Sequence, residues 1–201
     1  MHEFPESPGV PMVVDMSSDI LARRIDYSQF GVVYAGAQKN LGPSGVTVVM
    51  INKELVEQGR KDIPFIWQYR TQAAARSLAN TAPTFSIYML RNVLQWLKKE
   101  GGVDTIEARN REKAARLYEV LEARSDVFSL KVEKDSRSFM NVVWNLETPE
   151  LEKRCVKEAT DAGLIGLKGH RLVGGMRASI YNAVPLQSVE ALCQFLLNFQ
   201  V

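Results

Sequence analysis

The spacing of apolar and polar residues changes several times along this 201-residue chain, and the changes mark its elements. Pro11-Met12-Val13-Val14 is a short unbroken apolar run that stops at Asp15, the pattern of a buried strand. Runs over 30–35 and 45–51 read as two further strands, the second rich in β-branched residues. Small residues and glycines fill the connection between them, Tyr34-Ala35-Gly36-Ala37-Gln38-Lys39-Asn40-Leu41-Gly42-Pro43-Ser44-Gly45. A polar helix-like stretch over 53–59 follows, then a segment over 62–78 rich in aromatic and small residues with no clear period. Pro83 starts a helix in which Phe85, Tyr88, Met89, Val93, Trp96 and Leu97 recur at helical spacing, and Gly101-Gly102 stops it. The glycine pair sets a domain boundary, dividing the chain into 1–100 and 101–201.

The second part alternates between the two periods. It predicts a helix over 103–124, strands over 127–132 and 140–146, and a helix over 149–162 that Thr148 caps and Gly163 ends. Short strands over 164–167 and 176–181 flank a loop holding His170, and an amphipathic helix over 185–199 closes the chain. These elements predict a small α+β domain. The charged run over 131–137 reads as a solvated turn, and there is no internal repeat or low-complexity segment. Residues 1–14 are a polar, proline-containing lead that makes an abrupt start for a domain, so a further segment is expected to precede it in the complete fold.

Composition narrows the partners. The chain is 46% hydrophobic, ordinary for a soluble globular protein, and long enough for one large domain or parts of two. Its formal charge of +2 comes from scattered, nearly balanced acids and bases with no basic run, so nucleic acid is not indicated. Cys155 and Cys193 fall in helix-like segments and form no CxxC or Cys/His cluster, which predicts buried free thiols in a reducing compartment. No stretch reaches the roughly eighteen apolar residues of a membrane span, and the start lacks a signal pattern. A cytoplasmic location with no membrane partner is the expectation.

The candidate chemistry lies at strand ends. Lys39 sits in the small-residue loop after one apolar run, and Asp15 ends the neighbouring one. A pyridoxal phosphate (PLP) site needs a lysine for the aldehyde and a carboxylate that keeps the pyridine nitrogen protonated. Alone, such a lysine is most often a surface residue and such an aspartate a strand-end cap.

Longer motifs change that balance. Val14-Asp15-Met16-Ser17-Ser18, then Phe30-Gly31-Val32-Val33-Tyr34-Ala35-Gly36-Ala37-Gln38-Lys39-Asn40, resemble phosphoserine aminotransferase, a class-V, fold-type I PLP-dependent family. Ser77-Leu78-Ala79-Asn80-Thr81-Ala82-Pro83 and Leu167-Lys168-Gly169-His170-Arg171-Leu172-Val173-Gly174-Gly175-Met176-Arg177-Ala178-Ser179-Ile180-Tyr181-Asn182-Ala183 resemble further motifs in the family's order. The resemblance covers essentially the whole chain but only the carboxy-terminal part of a family member. It implies an α/β fold: the end of a large PLP-binding domain, with a mainly parallel sheet and helices, over 1–100, then a small α+β domain over 101–201.

The resemblance also assigns roles. Lys39 would form the Schiff base and, once displaced, act as general base and acid for the proton shift. Asp15 would pair with the pyridine nitrogen, and Gln38 would donate to the cofactor phosphate. Asn80 and Thr81 would reach the cofactor phosphate of a partner subunit in a homodimer, although either residue would equally serve as a cap for the Pro83 helix. His170 and Arg171 would bind a substrate phosphate and Arg177 the α-carboxylate, with Lys168 adding positive potential. From their position just past Asp15, and not from the resemblance, Ser17 and Ser18 could bond a phosphate or merely satisfy loop backbone, and they are left out of the expected site.

The implied reaction moves an amino group between O-phospho-L-serine and 2-oxoglutarate, in reverse between 3-phosphohydroxypyruvate and L-glutamate, within serine biosynthesis. A phosphorylated hydroxythreonine is a second substrate in some bacterial members. Two rival readings stand beside it. One is another fold-type I PLP enzyme sharing Lys39 and Asp15, against which the His170-Arg171 loop argues. The other is a chain without independent catalysis, because the family's phosphate loop, ring-stacking aromatic, threonine near the ring hydroxyl and one substrate arginine lie in the missing part.

Overall fold

The computed structural model describes residues 4–201, so residues 1–3 of the lead lie outside it. Residues 5–100 form one compact unit and residues 101–201 make up most of a second.

In the first unit, strands β1 (Val13–Asp15), β2 (Val32–Gly36) and β3 (Thr47–Ile51) lie in that order in one sheet. β1 runs parallel to β2, with Asp15 opposite Tyr34, and β3 returns antiparallel, with Gly36 opposite Thr47. The expected mainly parallel sheet is thus, within this chain, one parallel and one antiparallel pair. The short connection over 37–46 allows only a direct antiparallel return, whereas the longer passage over 16–31 permits a parallel crossover. Period-two alternation turns Val33 and Ala35 inward, both essentially inaccessible, and Tyr34 outward. Met16, Ile20, Phe30 and Leu41 complete the buried set around them.

Three helices follow: α1 (Lys53–Gln58), α2 (Tyr69–Ala74) and α3 (Thr84–Lys99). The Asn52 side chain accepts from the Glu54 N–H and caps α1. The 62–78 segment corrects the expectation of irregular structure, since it holds α2 and a 3-10 turn at Phe65–Trp67. Neither element buries a side chain, so no face is marked by apolar periodicity and the sequence carries no signal for them. For α3 the predicted bounds hold, but its apolar face is largely uncovered: Phe85 is 71% exposed, Tyr88 55%, and only Leu97 is buried. Neither Asn80 nor Thr81 caps it; Pro83 occupies the N-cap position and offers no side-chain acceptor.

The second unit is antiparallel throughout. Its elements are α4 (Gly102–Ala123), β4 (Asn141–Trp144), α5 (Pro149–Asp161), β5 (Lys168–His170), β6 (Gly174–Ser179) and α6 (Leu186–Asn198), with strand order β4-β6-β5. Val142 pairs with Ala178 and Trp144 with Met176, and all four face a core closed by Leu117 and Leu121 of α4, Cys155 of α5 and Leu192 and Leu196 of α6. Thr148 accepts from Leu151 N–H at 3.2 Å and caps α5, and Gly163 at φ 85° ends it.

Two expected strands differ. The run over 127–132 supplies one bridge, Ser129 to Asn145, and no strand. The strand expected over 164–167 is displaced to β5, because Gly163 and Gly166 both take left-handed backbone, which ladder pairing excludes. His170 therefore ends a strand of a tight hairpin and does not sit mid-loop.

The apolar stripe of α4 also buries two polar residues, Asn110 and Lys113. Lys113 Nζ donates to the carbonyls of Ile180, Tyr181 and Val184 at 3.0, 2.8 and 3.0 Å, which satisfies all three of its protons. Burial lowers its pKa to about 8. Cys155 and Cys193 are buried and free, and burial pushes their thiols up to about 12 and about 11. Among the described residues no helix is long and apolar enough to cross a membrane.

Candidate active site

The first unit builds its site from two adjacent strand ends. After Gly36 the chain enters a turn in which the amides of Leu41 and Gly42 both donate to the Ala37 carbonyl at 2.9 Å. Ala37 and Leu41 are buried and anchor the turn, which leaves Gln38 and Lys39 exposed between them. Asn40 is buried, and its Nδ2 donates to the carbonyls of Ser18 at 2.9 Å and Ile20 at 3.3 Å. That side chain locks the lysine turn to the segment following Asp15. At the far end Ser86 Oγ donates to the Ser44 carbonyl at 3.1 Å, fastening the loop to α3. At Gly36 a Cβ would lie 2.6 Å from Gln38 Oε1, so glycine leaves room for that amide to fold back over the strand end, although the exposed Gln38 side chain could swing aside.

Asp15 lies at the exposed end of β1. Its Oδ1 accepts from the Ser17 amide at 2.8 Å and the Ser17 hydroxyl at 2.5 Å. Both donors converge on one oxygen, and Oδ2 takes none among the described residues. The Ser17 hydroxyl is the main cause that holds the Asp15 carboxyl below its ordinary value; partial burial opposes it, and the Ser17 amide and the Lys39 charge add smaller pulls. The structure thus brings an ionised carboxylate with one open oxygen into the electrostatic reach of an exposed lysine. This donor set suits a pyridinium nitrogen and an aldehyde held between the two strand ends.

Asn80 and Thr81 are exposed ahead of α3, and the Asn80 amide donates to the Thr81 carbonyl at 3.1 Å. Among the described residues no hydrogen bond joins either of them to Asp15, Gln38 or Lys39.

The remaining candidates belong to the second unit. His170 and Arg171 are exposed at the β5–β6 hairpin and line a cavity of about 280 Å3 with Lys168 and, from the N-terminal part of α5, Glu152 and Lys153. The Leu172 amide donates to His170 Nδ1 at 3.3 Å, which leaves Nε2 directed elsewhere. Glu152 holds this hairpin, accepting from Gly175 N–H at 3.0 Å and Asn145 Nδ2 at 3.2 Å. Gly169 is the tightest point, since a Cβ would meet the Gly174 carbonyl at 2.1 Å. Arg177 pairs with Val143 on the face of the sheet away from the core. Its Nε is buried and has no hydrogen-bond partner among the described residues, an unmet donor suited to an anion.

Ser17, Asn40 and Glu152 shape these sites without having been singled out as their supports. Ser17 carried a signal as a residue that could satisfy loop backbone, which matches its bond from the Gly36 amide, whereas Asn40 and Glu152 carried none.

Comparison with known proteins adds an independent line. The family described as aminotransferase class-V matches residues 2–192. A phosphoserine aminotransferase of Bacillus subtilis (strain 168) is 54% identical over 199 residues, 99% of this chain and 55% of that protein. The structure of phosphoserine aminotransferase from Bacillus circulans subsp. alkalophilus superposes with a TM-score of 0.93 at 49% identity, covering 98% of this chain and 54% of that one. The PLP-bound phosphoserine aminotransferase of Trichomonas vaginalis gives a TM-score of 0.91 at 35% identity, covering 97% and 55%. The chain spans about half the length of the curated relatives it matches.

Proposed function

Because this chain belongs to the class-V aminotransferase family, we propose that it is the carboxy-terminal part of a cytoplasmic, homodimeric phosphoserine aminotransferase that uses PLP. Residues 1–100 then complete a large cofactor-binding domain of fold-type I, and residues 101–201 form the small α+β domain. The observation that carries the reading is the exposed Lys39 beside an ionised Asp15 with an open Oδ2.

When bound, PLP supplies an aldehyde carbon and a ring that accepts electrons. Lys39 would hold the cofactor through its exposed amine, and when that amine is free it would serve as the proton carrier of the site. Asp15, held charged by Ser17, would offer its open Oδ2 to the ring nitrogen. Gln38 would donate its amide to the cofactor phosphate, and Asn80 and Thr81 would serve the phosphate site of a second copy. His170 and Arg171 take the phosphate of phosphoserine on the hairpin that Glu152 braces, while the unpartnered Nε of Arg177 takes the α-carboxylate. Glutamate and 2-oxoglutarate use the same cations through their carboxylates.

The test is spectroscopic. The purified chain, mixed with PLP and dialysed, is expected to retain a visible absorption band that Lys39→Ala lacks and that shifts on addition of phosphoserine or glutamate. A wild-type chain without the band would overturn independent cofactor binding and leave the activity to the full-length enzyme.

A further inference from the structure

Ser17 sits at the junction of the two strands that carry the acid and the amine, and it is 8% exposed. Its hydroxyl makes two bonds that run in sequence. As donor it reaches Asp15 Oδ1 at 2.5 Å, and as acceptor it receives the Gly36 N–H at 3.0 Å. Gly36 is the last residue of β2 and the first of the approach to Gln38 and Lys39. One side-chain oxygen therefore ties the carboxylate on β1 to the backbone from which the lysine turn departs.

We propose that Ser17 is a positioning residue for the PLP site: its hydroxyl fixes the Asp15 carboxylate with Oδ2 turned toward the ring nitrogen and couples that carboxylate to the strand end leading into Lys39. The proposal rests on the cofactor reading above and adds a residue to it. Three observations support it. Both Ser17 donors converge on Oδ1, so the carboxylate rotamer is set and the choice of free oxygen follows from geometry. The hydroxyl has its proton committed to Asp15 and a lone pair committed to Gly36, so the orientation of one bond dictates the other. The carboxyl also stands below its ordinary pKa with the Ser17 hydroxyl as the main cause, and the Lys39 charge pulls the same way more weakly. A charged Asp15 is the state that keeps a pyridine nitrogen protonated.

The chain itself can be tested without cofactor by following the Asp15 carboxyl carbon and the Gly36 amide by NMR through an acid titration. In the wild type, Asp15 is expected to titrate below the ordinary aspartate range, and the Gly36 amide is expected to follow the same midpoint through the shared hydroxyl. Ser17→Ala is expected to shift the Asp15 midpoint upward and to uncouple Gly36, while Ser17→Thr, which retains the hydroxyl, restores both. An unchanged Asp15 midpoint in Ser17→Ala would overturn the proposal. Should Ser17→Ala fail to fold, the wild type decides alone, because an ordinary Asp15 midpoint or a Gly36 amide that ignores it is equally fatal.

A second arm adds PLP and compares the retained visible band. Ser17→Ala is expected to weaken retention roughly tenfold, the loss of one hydrogen bond to a charged group. Failure of the wild type to gain the band counts against the cofactor reading, whereas a normal band with an unshifted Asp15 counts against Ser17, so the two failures are distinct.

Discussion

The two compact units use their apolar residues differently. In residues 101–201, Leu117, Leu121, Phe128, Val142, Trp144, Met176, Val189 and Leu196 all join one continuous core and are almost fully inaccessible. In residues 5–100, the stretch 65–88 alone leaves Phe65, Ile66, Trp67, Tyr69, Leu78, Phe85, Ile87 and Tyr88 exposed. The second unit closes on its own side chains. The first presents apolar surface far beyond the scattered exposed residues of an ordinary monomer, the mark of a surface made to be covered. A homodimer whose subunits share sites, as proposed, would cover it.

The contrast can be broken at three points. Trp144→Ala removes the largest fully buried side chain of the second unit and is expected to cost about 3–5 kcal/mol in urea unfolding. If Trp67→Ala in the first unit costs as much, the asymmetry is wrong, since Trp67 is 71% exposed.

Lys113→Met comes next, at about 2–3 kcal/mol, because three buried carbonyls lose their donor. It also has a pH signature. The folded pKa of about 8 lies below the ordinary 10.5, so between these values the unfolded chain binds the proton that the folded chain has lost. Stability therefore rises with pH across that window and is flat below it, and the wild type should gain on Lys113→Met between pH 8 and 10.5 when unfolding midpoints are compared. A parallel pH dependence in the two proteins would contradict the assignment.

The smallest effect on stability sharpens the other side. Paired changes Trp67→Ser and Phe85→Ser should alter unfolding by no more than about 0.5 kcal/mol each. They should nevertheless shift the chain toward monomer in sedimentation velocity, and unchanged self-association would remove the case for an interface there.

Legibility followed burial. The strands around Val33 and Val142 were readable because each buries residues at a fixed period, and helix α3 because its apolar residues recur at helical spacing although only Leu97 is buried. Helix α2 was not, because it buries nothing. The run over 127–132 looked like a strand because Val127 and Phe128 are apolar, yet they fill the core from the end of α4 and only Ser129 reaches a partner. Lys113 stands in phase with the apolar stripe of α4, a position that composition reads as solvated and the fold makes buried.

By itself the sequence determined the family motifs, the alternation of elements and the candidate residues, because periodicity and motif spacing are properties of neighbours along the chain. The tertiary structure decided what those residues touch. Only tertiary packing sets the Ser17 hydroxyl against the amide of Gly36, Asn40 against the Ser18 and Ile20 carbonyls, and Glu152 of α5 against the amide of Gly175. Each of these contacts joins segments separated along the chain, and the direction of a hydrogen bond depends on register and rotamer, which no local pattern encodes.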